Sequence, residues 1–584
     1  MCKLSTLAVL LGVLSGCSER SANRRPDAST TEALPPDGKA RLDLFVRENL
    51  DAELAYSPST ATWLGVHGYD DRIDDVGSFA EAREVVRLRQ LLERLRTVDD
   101  ETLDANRRID RLLLERRTQR SLYELTELKP YEHNPIVYLD LAQASVAELV
   151  ADEQMAPPER LRTVAARLWK LRSLFDEARR NLRGGPTGVS ELSVRKAIEL
   201  GQGARSYFAE TLPKALQLRD PKLMEDFRAA EGDATRALDD FVGWLNKDLL
   251  PRAKGDPALG RDRLVELWRL RFGITRTPEE LVALAERELK DSRHRYDEAQ
   301  KALTGGKPGV DLAKLIEDDH GKPDELQQQA QAAVETMIAF VRGEHLATLP
   351  DPERPKVVDM PPASWGFALL SMAAPLERAR DAYLYIDPIA PNWPERRKQE
   401  HLRAFNRSVM VLTLMHDVIG HFLEAERNRR APTTMQKISL SPDFLEGWPH
   451  YVEKMMLDEG FASGDAKLRI AVERSIMLRA ARLSAVVRLH ALNAKLDDVV
   501  KLFTDEALLD DFVARREAER ALVDPLVAAD ALGRLAIERL RDDWRAAHPD
   551  GTLGGFHDAL LAHGSPPIWV LRKLLLPGDA GAPL

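Results

Sequence analysis

Apolar positions recur three and four residues apart along almost the whole chain, which is the period of an amphipathic helix. The segment TPEELVALAEREL shows this pattern clearly. Thr277 can cap the helix, Pro278 takes the first helical position, and Glu280 stands three residues after the cap. Leu281 and Leu284 then begin an apolar series at helical spacing. Because the pattern is repeated along the chain, it predicts an all-α protein.

Three stretches rich in glycine or proline interrupt the helical pattern, at residues 183–188, 304–309 and 349–356. We predict that they are loops or joints. Two short segments, KVVDM (356–360) and YLYID (383–387), have the β-branched and aromatic content of strands. The predicted fold class is therefore all-α, with many helices and few or no strands.

The changes in pattern divide the chain into four predicted parts. Residues 1–17 form a lipoprotein signal peptide, and residues 18–38 form a flexible tether, since they lack apolar periodicity and are rich in Ser, Arg, Pro and Asp. Residues 39–340 form an N-terminal helical half. Residues 341–580 form a C-terminal helical half, which carries a cluster of histidines and acids.

The first seventeen residues, MCKLSTLAVLLGVLSGC, have a basic start, an apolar run and small residues before a cysteine. The run is too short to span a bilayer, which takes about 20 residues, and is typical of a cleaved export signal. Its end resembles a bacterial lipobox, which would make Cys17 the lipidated anchor to the membrane; an ordinary secretory signal with a chance cysteine is the alternative. Ser18 resembles the outer-membrane sorting choice, so we expect a cell-envelope protein of a Gram-negative bacterium.

Composition excludes several classes of function. The formal net charge is −10 and the basic residues form no stripe, so nucleic acid is not an expected partner. No P-loop and no GxGxxG after a strand is present, so no nucleotide is expected either. The chain has no GxSxG, and its two cysteines stand at positions 2 and 17, which argues against serine or cysteine nucleophiles.

The stretch HDVIGHFLE (416–424) holds the strongest chemical signal. Two histidines with an acid beside the first are typical of a zinc-protease helix, where the histidines stand four apart, about 40° around the helix. His416 and His421 stand five apart, which is about 140° and prevents a shared ion on a regular α-helix. Either a π-bulge or a break at Gly420 would bring the rings together.

A third ligand is available in FLEGWPHYVEKMMLDEG (444–460). Glu446 and His450 stand four residues apart, so one helical face would carry a carboxylate and an imidazole. Pro449 would fall in the first turn, where its missing N–H costs little. Catalytic zinc binds histidine nitrogens and carboxylate oxygens and keeps one position for water, so Glu446 could complete a site with the two histidines.

Spacing alone also allows a second interpretation of these residues. A lone histidine on an amphipathic helix is more often a hydrogen-bonded structural residue than a ligand. The nearby acids Glu424, Glu426 and Glu453 are typical of solvated or salt-bridged helix charges. The residues by themselves leave a metal site and a structural cluster equally open.

Six motifs spread along the chain allow comparison with known families. They are SPSTATWLGVHGYDD, PPASWGFALL, HDVIGHFLE, EGWPHYVEKMMLDEGF, GDAKLRIAVERSIMLRAARLSAVVRLH and FHDALLAHGSPPIWVLR. Together they closely resemble the bacterial domain-of-unknown-function 885 (DUF885) family, whose members look like zincin metallopeptidases. The resemblance runs from about residue 40 to 575 and implies a large multi-helix, zincin-like fold with a central cleft.

The resemblance also implies a function, hydrolysis of a peptide substrate by a zinc-dependent peptidase of the cell envelope. By position, His416, His421 and Glu446 would bind the zinc, and Asp417 would stand where many members carry a glutamate expected to act as general base. The remaining implied site residues are three catalytic and three substrate-binding side chains. The catalytic ones are His450, His490 and Arg482, and the substrate-binding ones are Arg479, Trp448 and Tyr451.

The chain departs from the family pattern at several site positions. The family has Pro-Gly-His where this chain has Ile419-Gly420-His421, which shortens the spacing of the histidines from six to five. Glu424 replaces an expected Gln, and Pro449 replaces an Ala. The alternative function is therefore a metal-poor relative that binds peptides or an envelope partner.

Overall fold

The computed structural model describes residues 35, 37–151, 155–184, 188–360, 366–578 and 582–584. The predicted signal peptide, with Cys17, and nearly all of the predicted tether lie outside the described residues. So do the middle of the predicted loop 183–188 and the first five residues of the motif PPASWGFALL. The helices, strands and contacts that the structure describes all lie within these ranges.

The protein is mostly helical, which confirms the predicted fold class. In the first part of the chain the α-helices are Gly38–Tyr56, Pro58–Trp63, Ser78–Leu95, Ala105–Tyr123, Pro130–His133, Ile136–Ala151, Pro157–Gly184, Glu191–Ser206, Leu212–Ala215, Pro221–Trp244, Arg261–Phe272, Pro278–Thr304, Leu312–Glu317 and Leu326–Gly343. In the second part they are Glu395–Ala404, Arg407–Leu414, Leu423–Asn428, Thr434–Ile438, Pro442–Leu445, Gly447–Asp458, Ala466–Ala491, Leu496–Glu506, Asp511–Val523, Ala529–Ala547, Leu553–Leu561 and Ile568–Leu575.

Several helices contain or end in turns of a different pitch. π-Helical segments are Glu124–Leu128, Tyr207–Thr211, Leu245–Leu249 and Met415–Phe422. Short 3₁₀ segments are His67–Tyr69, Asp100–Thr102 and Leu250–Arg252. The segment Met415–Phe422 bears on function, because it carries both histidines of HDVIGHFLE.

One small sheet interrupts the helices. Its strands are β1 (Lys356–Asp359), β2 (Ala368–Ser371) and β3 (Tyr383–Ile386), in the order β1-β3-β2. β3 runs parallel to β1 and antiparallel to β2. The two predicted strands are confirmed as β1 and β3. β2 was not predicted, since its sequence ALLS has no β-branched residue and no alternation.

The C-terminal core is built around helix Ala466–Ala491, here called the arginine helix. Its buried residues occur on all sides, as expected for a helix enclosed by neighbours. Helix Pro278–Thr304 packs along it. That helix begins with the predicted capping box: Glu280 N–H donates to the Thr277 hydroxyl at 3.3 Å, and Thr277 N–H donates to the Glu280 carboxylate at 2.8 Å.

Hydrophobic contacts cross the predicted boundary between the two halves. One cluster of buried residues extends from Leu264 to Leu584. A second extends from Val76 to Ala253. The second cluster therefore ends at residue 253, and the first begins at residue 264. The predicted division of the chain near residue 340 stays a prediction.

Candidate metal centre

Residues Arg407–Asn428 form one continuous helix, here called the histidine helix. Its first turn is capped by Asn406, whose side chain accepts from the Val409 N–H at 3.2 Å. The middle of the helix, Met415–Phe422, is π-helical. The helix is long and apolar enough to cross a bilayer by composition, but more than half of its most apolar window is buried inside the protein, as in the core helix of a globular domain.

The π segment brings the two histidines together. In a π turn the backbone bonds residue i to i+5, so residues five apart acquire the relation that residues four apart have in an α-helix. The ring centroids of His416 and His421 lie 4.8 Å apart, with an angle of 79° between the planes. Of the two distortions that the sequence left open, the structure has the π-bulge.

Two residues of the EGWPHY motif hold this widened turn in place. The indole N–H of Trp448 donates to the carbonyl oxygen of Gly420 at 3.2 Å. A Cβ on Gly420 would lie 2.6 Å from Cβ and 2.8 Å from Cα of Pro449. The missing side chain of Gly420 therefore lets the two helices touch, and the Trp448 indole ties the Gly420 carbonyl oxygen to the second helix.

Glu446 is positioned by a second close contact between helices. It lies between the short helix Pro442–Leu445 and helix Gly447–Asp458, here called the EGW helix. A Cβ on Gly447 would lie 2.5 Å from Cα of Gly533 in helix Ala529–Ala547, so only a glycine pair allows this approach. Pro449 falls in the first turn of the EGW helix, as predicted.

These contacts bring His416, His421 and Glu446 to one place. The ligand atoms of the three side chains all lie within 4.8 Å of one another. Donor atoms in a tetrahedral zinc site, each about 2.1 Å from the ion, lie about 3.4 Å apart, so side-chain movements of up to about 1.4 Å would bring these three atoms to one ion. Two histidines and a glutamate are also the donor set of known catalytic zinc sites. The residues fit a zinc ion.

The electrostatics of His421 and Glu446 also suit a cation. Burial, together with the neighbouring His416, lowers the pKa of His421 to about 3. Its ring is therefore neutral at physiological pH, which is the form that binds metals. Burial raises the pKa of the Glu446 carboxyl, while the charge of His416 lowers it. A cation between these groups would compensate the buried carboxylate.

Glu453 is hydrogen-bonded to the ring of His416. Its Oε1 lies 2.8 Å from His416 Nδ1, and its Oε2 accepts from Ser475 at 2.7 Å. Burial alone would raise the pKa of Glu453, but Arg479, His416 and His450 hold it well below its usual range. The ionised carboxylate can only accept, so His416 Nδ1 carries the proton and Nε2 is left as a ligand atom.

Sequence reasoning treated Glu453 only as a salt-bridged or solvated helix charge. It is salt-bridged, but it is only 1% exposed. A signal was present, because Glu446 and Glu453 stand seven residues apart, about two helical turns, and thus share one face of the EGW helix.

The two predicted arginines are engaged by acids of the protein. Arg479 donates to both oxygens of Glu453 at 3.1 Å, and its Nε lies 3.3 Å from Asp530. Arg482 pairs with Glu517 at 2.8 and 3.0 Å. The geometry therefore gives no support to a substrate contact of Arg479 or a catalytic role of Arg482; Arg479 instead acts on Glu453.

The other two predicted catalytic histidines are also held by protein groups. His490 accepts from the Leu259 N–H at 2.9 Å and donates to the Ala521 carbonyl at 3.0 Å. It lies eleven residues beyond Arg479 on the arginine helix, about 16 Å along the axis. His450 Nδ1 lies 3.4 Å from Glu453, and its Nε2 is buried without a hydrogen-bond partner among the described residues. With its proton on Nδ1, His450 has no N–H for an oxyanion.

Trp448 and Tyr451, predicted to bind substrate, are each 1% exposed. The hydroxyl of Tyr451 lies 2.8 Å from Nε2 of His557, and both rings pack against the imidazole of that histidine. Their side chains offer a substrate no surface in this conformation. The geometry supports a scaffold role for them.

Asp417 differs from the other buried acids. It is half-buried and makes no hydrogen bond to a described residue. Burial raises its pKa to about 6. By contrast, Glu424 bonds to Ser565, and Glu426 pairs with Arg429 at 3.2 Å. Asp417, next to His416 in the chain, is thus left free to accept a proton.

The Gly420 contact leads to a first prediction. Gly420→Ala should lower the free energy of unfolding by about 1–3 kcal/mol, because the added methyl group must push the histidine helix away from Pro449. Chemical denaturation measures the change.

Gly203→Ala is the matched control, since Gly203 lies in helix Glu191–Ser206 with nothing within 4 Å of its added Cβ. It should stabilise the protein by up to about 1 kcal/mol through helix propensity. Equal effects of both substitutions would contradict the tight contact at Gly420.

Comparisons with known proteins agree with this fold. A family described as "Bacterial protein of unknown function (DUF885)" matches residues 58–575. A "putative lipoprotein of unknown function" from Shewanella oneidensis is 19% identical, with a TM-score of 0.76 over 92% of this chain and 99% of that one. A "putative lipoprotein" from Colwellia psychrerythraea is 14% identical, with a TM-score of 0.75 over 92% of this chain and 98% of that one. At such identities the likeness shows a shared fold. No curated protein matches the chain.

Proposed function

We propose that this chain, which belongs to the DUF885 family of bacterial proteins of unknown function, is a zinc-dependent peptidase of the cell envelope. The observation that carries the proposal is the convergence of His416, His421 and Glu446, with ligand atoms within 4.8 Å of one another. The π-helical segment Met415–Phe422 and the contact of Gly420 with Pro449 position the histidines, and the carboxylate of Glu453 bonds to His416.

The proposal assigns each side chain a task. His416 and His421 would hold the zinc through ring nitrogens, and Glu446 through its carboxylate. When bound, zinc lowers the pKa of water toward about 7 and polarises a peptide carbonyl. Glu453 would orient His416 and raise its basicity through the Nδ1 proton.

Asp417 would take the proton of the attacking water and later pass it to the leaving amine. Its carboxylate has no competing hydrogen bond among the described residues, and burial keeps its pKa, at about 6, closer to neutrality than an exposed aspartate. A base with a pKa near the working pH is the effective choice for such a transfer.

The cellular location follows from the start of the chain. The segment MCKLSTLAVLLGVLSGC resembles a lipoprotein signal, and both similar solved structures are described as putative lipoproteins. We propose a lipid anchor at Cys17 on the outer membrane.

Metal content and peptide cleavage test the function together. The purified protein, reconstituted with zinc, should contain about one zinc per chain and cleave members of a peptide library, and a chelator should stop the cleavage. His416→Ala and Glu446→Ala should each lose zinc and activity. His294→Ala, a histidine that is 73% exposed, is the control and should lose neither.

Three outcomes would reject the peptidase. A parent protein that takes up no zinc on reconstitution would leave the metal-poor alternative, as would peptide binding that survives the chelator and both substitutions. Zinc uptake without cleavage of any library peptide would reject the reaction and keep the metal site.

A further inference from the structure

A second site lies away from the three candidate ligands, in a cavity here called the arginine cavity. It is bounded by helices Ala105–Tyr123 and Arg261–Phe272 and by segments that contain Ser441 and Trp569. Its atom-free space is about 450 Å³, including the part open to solvent. Four guanidinium groups line it, those of Arg116, Arg117, Arg120 and Arg271.

Acids of the protein lie near each of these guanidinium groups. Glu53 forms an ion pair with Arg117. Glu124 lies 2.5 Å from Arg271 and 3.8 Å from Arg120 and thus serves both. Arg116 lies over the ring of Trp569, at 5.3 Å from its centroid. The charge of Glu266 acts on Arg116 and that of Asp524 acts on Arg271, so each guanidinium group has an acid near it.

Three donors at the cavity have no acceptor among the described residues. They are the buried Nε atoms of Arg120 and Arg271 and the indole nitrogen of Trp569. Trp569 is only 8% exposed, so water reaches its N–H poorly. The side chain of Arg120 makes no hydrogen bond to a described residue. Burial, with repulsion from Arg271 and Arg117, lowers its pKa to about 10, although the charge of Glu124 acts in the opposite direction.

Leaving buried donors unpaired costs free energy, and native proteins rarely do so without a reason. Guanidinium groups favour planar or tetrahedral oxyanions, which accept two parallel N–H bonds. A carboxylate or phosphate group in the cavity would accept hydrogen bonds from the unpaired donors.

We propose that the arginine cavity is a binding site for a small-molecule oxyanion, a carboxylate or a phosphate group, held by Arg120, Arg271 and the indole N–H of Trp569. The site does not depend on the peptidase function. Its wall does include Pro442, the first residue of the short helix that ends just before Glu446. An occupied cavity would therefore border the segment that positions one candidate metal ligand.

Titration of the metal-free protein tests the proposal without any readout of activity. The full mature chain, treated with a chelator, is titrated calorimetrically with inorganic phosphate and separately with succinate, at constant ionic strength set with potassium chloride. We expect saturable binding of at least one probe. Phosphate alone would identify a phosphate site, and succinate alone a carboxylate site.

Arg120→Gln and Arg271→Gln should each weaken the binding at least tenfold. Arg195→Gln is the control, because Arg195 is 61% exposed and pairs only with Glu191 one turn away. It should bind as the parent does, which separates site binding from the general stabilising effect of phosphate on proteins.

The melting temperatures of the anion-free variants show whether these variants are folded. Because the Arg120 side chain makes no hydrogen bond to a described residue and lies 3.8 Å from Glu124, Arg120→Gln without anion should melt close to the temperature of the parent. The proposal would be overturned if neither phosphate nor succinate bound saturably. It would also be overturned if both cavity variants kept the binding of the parent. A large loss of melting temperature in anion-free Arg120→Gln would also overturn it, since Arg120 would then serve folding.

Discussion

Replacing Asp417 with Asn should lower kcat/KM for peptide hydrolysis by about 100- to 10,000-fold, the range found for general bases, while zinc content stays near that of the parent. Asparagine keeps the shape of the side chain but cannot take a proton. The carboxylate lies next to His416 and has no hydrogen bond to a described residue, so its loss should leave the fold intact. Kinetics on a cleaved library peptide and elemental analysis measure the two effects.

The pH profile gives an independent check on Asp417. Only the ionised carboxylate can act as base, and burial raises its pKa to about 6 in the metal-free protein. A neighbouring dication favours the ionised form, so the activity of the parent should decline as the pH falls below about 6. The residual activity of the Asn variant should lack that decline.

Two further variants distinguish the loss of a proton acceptor at position 417 from the loss of a negative charge elsewhere on the protein. Asp417→Glu keeps the carboxylate and should retain most of the activity. Glu459→Gln removes an exposed acid just after the EGW helix and should change nothing. Full activity of Asp417→Asn would exclude this residue as the base and leave the metal site standing.

Arg479→Leu should lower the free energy of unfolding at pH 7 by about 3–5 kcal/mol, the usual effect of removing one partner of a buried ion pair. Glu453 is 1% exposed and depends on Arg479 for two hydrogen bonds at 3.1 Å. Because the folded-state pKa of Glu453 lies below its unfolded value, the stabilisation is present at neutral pH. It is lost as the pH falls below about 4.

Arg474→Leu is the matched control, since Arg474 is an exposed residue of the same arginine helix. It should cost less than about 0.5 kcal/mol. The double variant Arg479→Leu with Glu453→Gln should recover part of the lost stability, because no buried charge is then left alone. A double variant less stable than Arg479→Leu alone would contradict this account, and urea denaturation would decide.

Much of the fold and of the three-residue convergence followed from the sequence. The helical period, the capping box at Thr277 and two of three strands are local features, encoded in a few neighbouring residues. The convergence of His416 and His421 was expected only if the helix departed from α geometry. The residues alone could not choose between a bulge and a break at Gly420.

The contacts that decided this choice come from elsewhere in the chain. Trp448 and Pro449 meet Gly420 across a helix contact, and nothing in HDVIGHFLE encodes that contact. The role of the arginine helix was open for a similar reason. Its spacing allowed Arg479 and His490 to face a substrate, whereas in the structure Arg479 pairs with Glu453 and Asp530, and His490 bonds to the backbone of Leu259 and Ala521.

The π segment also bears on how such centres are found in other genomes. Searches for metal-binding helices usually require two histidines four positions apart, a filter that would discard this chain. A pattern could also accept a spacing of five, with a glycine just before the second histidine and a distant Glu-Gly-Trp. It would retrieve sequences in which a π turn brings the two histidines together.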